Sequence, residues 1–553
     1  MTQFEVWAPM AARVEVEVGL DRHELARTDR PGWWAGEVEG GHGIDYGFVL
    51  DGEGPLPDPR SAWQPLGVHG LSRVYDHRGF AWTDLNWRAR PLRGSVLYEL
   101  HVGTFTGEGT FDAAVTRLDH LVSLGVDVVE VMPVAAFPGT RGWGYDGVHL
   151  WAVHEPYGGP DGFKRFVDAC HARDIAVVLD VVYNHLGPSG NYLSRFGPYF
   201  TQAHHTPWGQ AVNLDQPGSD EVRTYLLDNA RMWLRDFHLD GLRLDAVHEL
   251  KDTRATHLLE ELAAQANGLL IAESDLNDPR MVTVREAGGL GLDAQWNDDL
   301  HHALHAALTG ETQGYYADFG SMAALAKTLT GAFFHDGTYS AFRGRHHGRP
   351  VDPRIPPSRF VVCLQNHDQI GNRAAGDRLP ADVLTLGAAL LLTSPYTPMI
   401  FMGEEWGATT PWCYFTDHQE PELARAVTEG RRREFAEHGW AGEVPDPQAE
   451  ETFGRSVLDW DEGNQGLLGW YRALIALRRA RPELTGPQIG VSYDEDDRWL
   501  IMDRGTTRVL VNFGGDAQLL PAGGELLLAT CGEVHQEDGG LVLPGRSAAI
   551  VSG

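Results

Sequence analysis

The sequence predicts a multidomain α/β protein in which a central (β/α)8 TIM barrel lies between an N-terminal β-sandwich and a C-terminal antiparallel β-domain. In the middle of the chain, short apolar runs alternate with helical patterns, and several runs end in acidic residues. At both ends, short segments alternate apolar and polar residues between Gly- and Pro-rich turns. Because 553 residues are too many for one core, we divide the chain into residues 1–85, 86–484 and 485–553.

The N-terminal segment is predicted to be a β-sandwich because FEVWAP and RVEVEVGL alternate, and further strand-like runs follow between turns. Its tryptophans Trp33, Trp34 and Trp63 could form a sugar-stacking surface, or they could fill the core and its contact with the barrel. The second interpretation is favoured because large aromatic side chains are mostly buried.

The barrel is predicted to begin at SVLYELHVGTFT and to end at PMIFMGEEWG. Helices are expected over residues 112–124, up to His171, from a cap at Asp220 to Phe237, over residues 382–392, and in a stretch that runs to about Arg481. Two insertions are expected, after the third strand (about 186–219) and after the sixth (about 310–357). The first is too polar and too rich in Gly and Pro for a helix, and the second is expected over the barrel mouth.

The stretch DGLRLDAVH organises the middle of the chain. Arg243 and Asp245 are two residues apart on a predicted strand and therefore point to the same face. The arginine can then hold the aspartate ionised and aimed, as a nucleophilic carboxylate requires. A buried ion pair without chemistry explains this stretch alone equally well.

Three other apolar runs also end in polar residues, which favours the catalytic interpretation. AVVLDVVYNH offers Asp180, Asn184 and His185; LLIAESDLND offers Glu273; and FVVCLQNHD offers His367 and Asp368. Barrel enzymes place such residues around the C-terminal ends of their strands. Adjacent strands are about 4.8 Å apart, which matches the roughly 5 Å between the two carboxyl groups of a retaining glycosidase.

These four stretches together resemble the signature regions of the α-amylase superfamily of glycoside hydrolases. The resemblance implies that Asp245 is the nucleophile, that Glu273 is the acid/base and needs a raised pKa, and that Asp368 steadies the transition state. It also implies that Tyr145 stacks on the sugar ring at the cleavage site. The further substrate-binding residues expected around the mouth are Asn184, His185, Arg243, His248 and His367.

Within the superfamily, WGYDGVHLWAVHEPYGGP, IAESDLNDPR and NHDQIGNRAAGDRL resemble the branch that acts on malto-oligosyltrehalose. That resemblance implies hydrolysis of the α-1,4 bond next to the terminal trehalose, with trehalose and a shortened maltodextrin as products. Asp299, His301, His302, Gln369 and Asn372 are the expected contacts on the leaving-group side. A glycogen branching enzyme, which usually has A-E-E-S at IAESDLNDPR, and a non-catalytic carbohydrate-binding protein are the alternatives.

No cofactor and no metal are predicted. The acidic and histidine residues around Asp298 do not have a known ligand spacing, so helix capping or a sugar-contacting rim is favoured there. The four cysteines are expected to be small buried hydrophobes. The net charge of −32 argues against nucleic acid. The sequence shows neither a transmembrane run nor a secretory signal, which predicts a cytoplasmic enzyme that shares its substrate with a trehalose-forming synthase.

Overall fold

The computed structural model describes residues 1–437 and 444–553. Its centre is a closed barrel of eight parallel strands, which confirms the predicted fold class. The first and last strands pair to close the barrel, so all eight C-terminal ends meet at one mouth. The strands are β1 (Leu97–Leu100), β2 (Val128–Val131), β3 (Ala176–Val181), β4 (Gly241–Leu244), β5 (Leu269–Ala272), β6 (Ala294–Trp296), β7 (Phe360–Cys363) and β8 (Thr397–Phe401).

Helices surround the barrel, although β5 is followed by two 3-10 turns, Pro279–Met281 and Arg285–Ala287. The helices of the outer layer are α1 (Leu118–Leu124), α2 (Gly159–His171), α3 (Ser219–Asp236), α4 (Leu258–Gln265), α5 (Asp298–Thr309), α6 (Ala381–Thr393) and α7 (Gln465–Ala480). Shorter or more peripheral helices are Val102–Phe105, Phe111–Val115, Leu193–Phe196, Met322–Gly331, His367–Gly371, Pro421–Glu437 and Glu450–Gly454.

The structure corrects three details of the predicted helices. The helix expected over residues 112–124 is two helices, because Thr116 ends the first and Arg117 starts the second. Gly218, with a φ of 88°, occupies the N-cap of α3, so Asp220 lies inside the first turn rather than at the cap. The cap of α5 is Asn297, whose side chain accepts a bond from the Leu300 amide. The helix-rich stretch expected up to Arg481 includes residues 438–443, which lie outside the described residues.

The N-terminal region consists of two small antiparallel sheets, and it buries Trp33 and Trp34. The Trp63 indole donates a hydrogen bond to Glu155 of the barrel, so this tryptophan belongs to the contact with the barrel. Three cysteines are buried and all four are unpaired. The N-terminal strands are Thr2–Trp7, Val14–Val18, Asp21–Glu24, Ala26–Arg27, Trp33–Val38, Asp45–Leu50, Glu53–Leu56 and Ser72–Arg73.

The C-terminal region is also antiparallel, with one five-stranded and one three-stranded sheet. The division of the chain at residues 85 and 484 remains a prediction. The C-terminal strands are Gly490–Asp494, Trp499–Arg504, Thr507–Asn512, Gln518–Leu520, Glu525–Ala529, His535–Glu537, Gly540–Leu543 and Ser547–Ser552.

The two predicted insertions have secondary structure of their own. The segment after β3 contains a single helical turn, Leu193–Phe196, where no helix was predicted, and a hairpin of Phe200–Thr206 with Gly209–Val212. The segment after α5 contains the helix Met322–Gly331 and a small hairpin. Asp299 of α5 accepts hydrogen bonds from the backbone amides of Phe334 and His335, so this insertion is fixed to the mouth of the barrel.

The loop that follows β4 carries the predicted nucleophile, and a buried arginine fixes this loop in position. The Arg223 side chain on α3 is 2% exposed, and it pairs with Asp252, whose side chain is fully buried. Arg223 also donates to the carbonyl oxygens of Leu214 and Thr256 and to the Glu261 carboxylate. Breaking such a pair from one side leaves the other charge buried and unpaired.

We therefore expect Arg223→Ala to lower the free energy of unfolding by about 3–5 kcal/mol. The matched control is Arg254→Ala, because Arg254 pairs with Asp220 at the surface, where the two side chains are 38% and 86% exposed. That exposed pair should contribute less than about 1 kcal/mol. Urea unfolding followed by tryptophan fluorescence measures both variants. Equal losses of unfolding free energy in the two variants would contradict the conclusion that the buried Arg223 network stabilises the protein more than a surface pair does.

Candidate active site

The three predicted catalytic carboxyl groups lie at the C-terminal ends of β4, β5 and β7. Asp245 and Glu273 directly follow their strands, and Asp368 lies on the short helix that follows β7. The Asp245 carboxylate is held from both sides. Its Oδ1 accepts a hydrogen bond of 2.8 Å from Arg243, and its Oδ2 accepts one of 2.8 Å from the Asn184 amide. It is thereby fixed in position at the mouth.

Arg243 is the cation at the centre of the site, and its side chain is fully buried. Its Nη1 donates to both carboxylate oxygens of Asp180, at 2.9 and 2.8 Å, as well as to Asp245. Its Nη2 lies 3.6 Å from Oε2 of Glu273. The guanidinium also lies over the Trp296 indole, 4.2 Å from the ring centroid, which gives it a cation–π contact. One guanidinium therefore bonds to Asp245 and lies close to Glu273, the two carboxyl groups that a glycosidase needs.

Glu273 is the group that holds a proton. Burial raises its pKa to about 8, and Asp245, Asp368 and Asp298 add to the shift against the opposing effect of Arg243. Its Oε2 accepts a bond from the amide of Ala246. Ala246 adopts a left-handed conformation with a φ of 37°, which is uncommon for a residue other than glycine. At neutral pH the site thus contains a carboxylic acid beside a bound carboxylate.

A chain of hydrogen bonds supports this cluster from β1. Nδ1 of His367 lies 2.6 Å from Glu99, and its Nε2 lies 2.8 Å from the hydroxyl of Tyr145. Burial alone would lower the pKa of His367, but Asp368 and Glu99 raise it to about 9. The imidazolium then donates through both nitrogens, and the Tyr145 hydroxyl donates to Asp180 at 2.6 Å. Glu99, His367, Tyr145, Asp180 and Arg243 therefore form one connected network.

Of the other residues predicted to bind substrate, two also lie at the mouth. The His185 ring is stacked on Trp208 at 4.2 Å, and its nitrogens face Asn184 and the Tyr145 carbonyl. His248 lies in the 3-10 turn that follows β4. The contacts of these side chains with a sugar, and the stacking of Tyr145 on one, remain predictions.

The residues predicted for the leaving-group side divide into two groups. Asp299 is bonded to backbone amides, and the buried His301 ring is bonded to the Leu364 carbonyl and the Tyr316 hydroxyl, so both already have protein partners. The side chains of His302, Gln369 and Asn372 are more exposed to solvent. The Asn372 amide donates a hydrogen bond to Asp368 at 3.3 Å. Their contacts with substrate also remain predictions.

Sequence reasoning missed two residues of the site. Glu99 lies in the middle of β1, in LYEL, and the only available signal was an acidic residue in a strand whose side chains are otherwise apolar or aromatic. Trp296 ends β6 and lies between Arg243 and His367. Asp298 was considered only as a cap or rim residue, although its charge adds to the raised pKa of Glu273 and its own pKa is raised by burial and by Asp368.

Within residues 1–437 and 444–553, no group of three or more His, Cys, Asp and Glu side chains is arranged to hold a metal ion. In the same part of the chain, no helix is long and apolar enough to cross a bilayer.

Comparison with known proteins assigns the family. The model of the alpha amylase catalytic domain matches residues 82–206, and a domain of unknown function, DUF3459, matches residues 489–550. A malto-oligosyltrehalose trehalohydrolase from Arthrobacter ramosus is 57% identical over 99% of both chains. One from Rhizobium sp. (strain M-11) is 54% identical over 99% of this chain and 97% of its own. The chain belongs to the malto-oligosyltrehalose trehalohydrolase family.

Two further similarities place this trehalohydrolase family member among its neighbours. A crystal structure of a candidate alpha amylase from Salmonella typhimurium has a TM-score of 0.90 and 38% identity, and the match covers 99% of this chain and 97% of that one. A 1,4-alpha-glucan branching enzyme from Nitratidesulfovibrio vulgaris is only 29% identical, over 80% of this chain and 77% of its own. The branching-enzyme alternative is therefore the more distant one.

The protonation of Glu273 predicts the alkaline side of the pH profile. Because the acid form is the active one, kcat/KM on glucan substrates should fall as the pH rises through about 8. Initial rates at low substrate concentration from about pH 3 to about pH 10 measure this limb and would also reveal a fall at lower pH. A fall centred near the ordinary glutamate pKa of about 4.3 would show that Glu273 is not the group that must be protonated.

Proposed function

We propose that this protein is a retaining glycoside hydrolase that cleaves the α-1,4-glucosidic bond next to the terminal trehalose of malto-oligosyltrehalose and releases trehalose. The observation that carries the chemistry is the pairing of a bound carboxylate, Asp245, with a protonated carboxyl group, Glu273, on adjacent strands around Arg243. The family supports the substrate, since relatives with this name match nearly the whole chain.

In the first half of the reaction, an Asp245 oxygen attacks the anomeric carbon of the glucose unit at the cleavage point. The bond from that carbon to the glycosidic oxygen breaks, and its electron pair stays with the oxygen. Glu273 donates its proton to the same oxygen, so trehalose leaves as a neutral alcohol. The products of this step are a glycosyl ester on Asp245, an ionised Glu273 and free trehalose.

In the second half, Glu273 removes a proton from water, and the resulting hydroxyl oxygen bonds to the anomeric carbon. The ester bond to Asp245 breaks, which restores its carboxylate and releases a maltodextrin with retained configuration. Asp368 provides negative charge near the carbon while positive charge develops on it. Tyr145, His185 and His367 would contact the sugar at this position.

Selectivity for a trehalose end has a physical basis. A trehalose terminus is bent and presents its hydroxyl groups in directions that a linear maltosyl end does not. A site that bonds those hydroxyls leaves buried polar groups unpaired when the linear sugar binds, and this penalty can discriminate strongly. Its substrate would come from a trehalose-forming synthase that acts on maltodextrin, and we propose that both enzymes work in the cytoplasm.

Substituting the two catalytic carboxyl groups should separate their roles. Asp245→Asn should reduce turnover by several orders of magnitude on every substrate, because the amide cannot form the ester. Glu273→Gln should lose most activity on malto-oligosyltrehalose but keep the first step on an aryl α-glycoside, whose leaving group needs no proton. Burst kinetics and steady-state rates measure both effects. Equal losses on both substrates for Glu273→Gln would assign that residue a structural role.

The specificity is tested by comparing kcat/KM on malto-oligosyltrehalose and on maltodextrin of equal length. We expect a clear preference for the first, with free trehalose as the product identified by chromatography. Equal values would indicate a general amylase. Products with new branches would instead indicate transfer to a sugar and a branching enzyme.

A further inference from the structure

Asp298 occupies a position that the proposed mechanism does not use. It is the first residue of α5, two residues beyond the end of β6. In the barrel, β6 lies between β5, which delivers Glu273, and β7, which delivers Asp368. The topology therefore places Asp298 between the acid/base and the third carboxyl group, at the same mouth.

The Asp298 carboxyl group is free, whereas its acidic neighbours are bound. Asp299 accepts bonds from Asn277 and from backbone amides, and Asp275 pairs with Arg343. Across the described ranges, the Asp298 carboxyl group has no hydrogen-bond partner, and the helix is capped by Asn297 instead. Capping and pairing therefore do not explain why an acidic residue is placed here.

The surroundings of Asp298 are those of the reaction centre. Burial, followed by the charge of Asp368, raises its pKa to about 7. Either protonation state can form a hydrogen bond with a sugar hydroxyl, which is both a donor and an acceptor. The titratable groups that act on Asp298, or on which it acts, come from every adjoining element: Arg243 on β4, Glu273 and Asp275 after β5, Asp299 on α5, Cys363 at the end of β7, Asp368 after β7, and Tyr315 from the insertion.

We propose that Asp298 is a further substrate-contacting residue, whose free carboxyl group binds a hydroxyl of the sugar on the leaving-group side of the cleaved bond. Around the barrel, the order β4, β5, β6 places the nucleophile Asp245, the proton donor Glu273 and then Asp298 in sequence. Glu273, which must reach the glycosidic oxygen, follows the adjacent strand β5, so Asp298 lies beside the group that meets the departing sugar.

A second side chain of α5 supports this assignment. His302 is one helical turn beyond Asp298 and therefore lies on the same helix face. Its ring packs against Tyr315 and Phe319, and within the part of the chain that is described, its nitrogens have no hydrogen-bond partner. Two polar side chains without hydrogen-bond partners among the described residues thus share one face of α5.

The inference rests on the proposed function, and the test compares two substrates. Asp298→Ala should reduce kcat/KM on malto-oligosyltrehalose about ten- to hundredfold, the effect of losing one hydrogen bond to a group that can carry charge. The same variant should retain the rate on an aryl α-maltoside within about twofold, because that substrate has no sugar on the leaving-group side. Asp298→Asn keeps a hydrogen-bonding side chain and should recover part of the loss.

The pH profile provides a readout that a purely structural role would not change. The negative charge of Asp298 contributes to the raised pKa of Glu273, so both substitutions should move the alkaline limb of kcat/KM to lower pH. The control is Asp382→Ala, because Asp382 also lies in the first turn of a helix, α6, but pairs at the surface with Arg546. That variant should leave both substrates and the pH profile unchanged.

The outcomes distinguish this inference from the proposed function. A wild-type enzyme that releases trehalose, together with an Asp298→Ala variant that is unchanged on both substrates, would overturn the inference alone. Equal losses on malto-oligosyltrehalose and the aryl maltoside, in a variant whose thermal midpoint matches that of Asp382→Ala, would also overturn it. A wild-type enzyme that releases no trehalose would overturn the proposed function and this inference together.

Discussion

The site depends on one buried cation. The Arg243 guanidinium is enclosed by the barrel, and its Nε and Nη2 have no hydrogen-bond partner among the described residues. Burying such a charge is costly, and its attraction to Asp180 and Asp245 offsets that cost only while their geometry is kept. The stability of the ion pair is therefore linked to the orientation of Asp245. The same guanidinium that pairs with the buried Asp180 also orients Asp245, the proposed nucleophile.

The arrangement of charges around that cation explains why the two carboxyl groups differ. Several acidic residues share a small, poorly solvated space, so they cannot all be ionised. Arg243 is bonded to Asp180 and Asp245, while the His367 imidazolium is bonded to Glu99. The Nη2 of Arg243 comes no closer than 3.6 Å to Glu273, which is also buried. Glu273 therefore keeps its proton, and the difference between nucleophile and acid follows from which group the arginine reaches directly.

Much of the fold was predictable from the sequence because the barrel strands are apolar runs that end in polar residues. Asp245, Glu273 and Asp368 each follow such a run, so both their strands and their common location could be inferred. Glu99 could not be inferred, because it lies inside an apolar strand and its partner His367 is distant in sequence. The helix break at Thr116 was also missed, because apolar residues continue at helical spacing on both sides of it.

The leaving-group side was harder to predict, because it is formed by loops whose contacts depend on the tertiary fold. Whether an acidic residue after β6 is free or bound depends on where the insertion lies. In the structure, Asp299 is bonded to the insertion backbone, whereas the Asp298 carboxyl group has no hydrogen-bond partner among the described residues. Nothing in the sequence NDDL separates these two adjacent residues, because both fit the first turn of a helix.

The insertion also contacts the loop that carries the proposed acid. Asn277, four residues after Glu273, donates to Asp299 and to the His335 carbonyl, and Arg343 of the insertion pairs with Asp275. The loop that follows Glu273 and the insertion are therefore fixed to each other. A change that displaces the insertion would also alter the burial of Glu273, and this burial is the main cause of its raised pKa. The position of the insertion and the environment of the proposed acid are therefore linked through the same contacts.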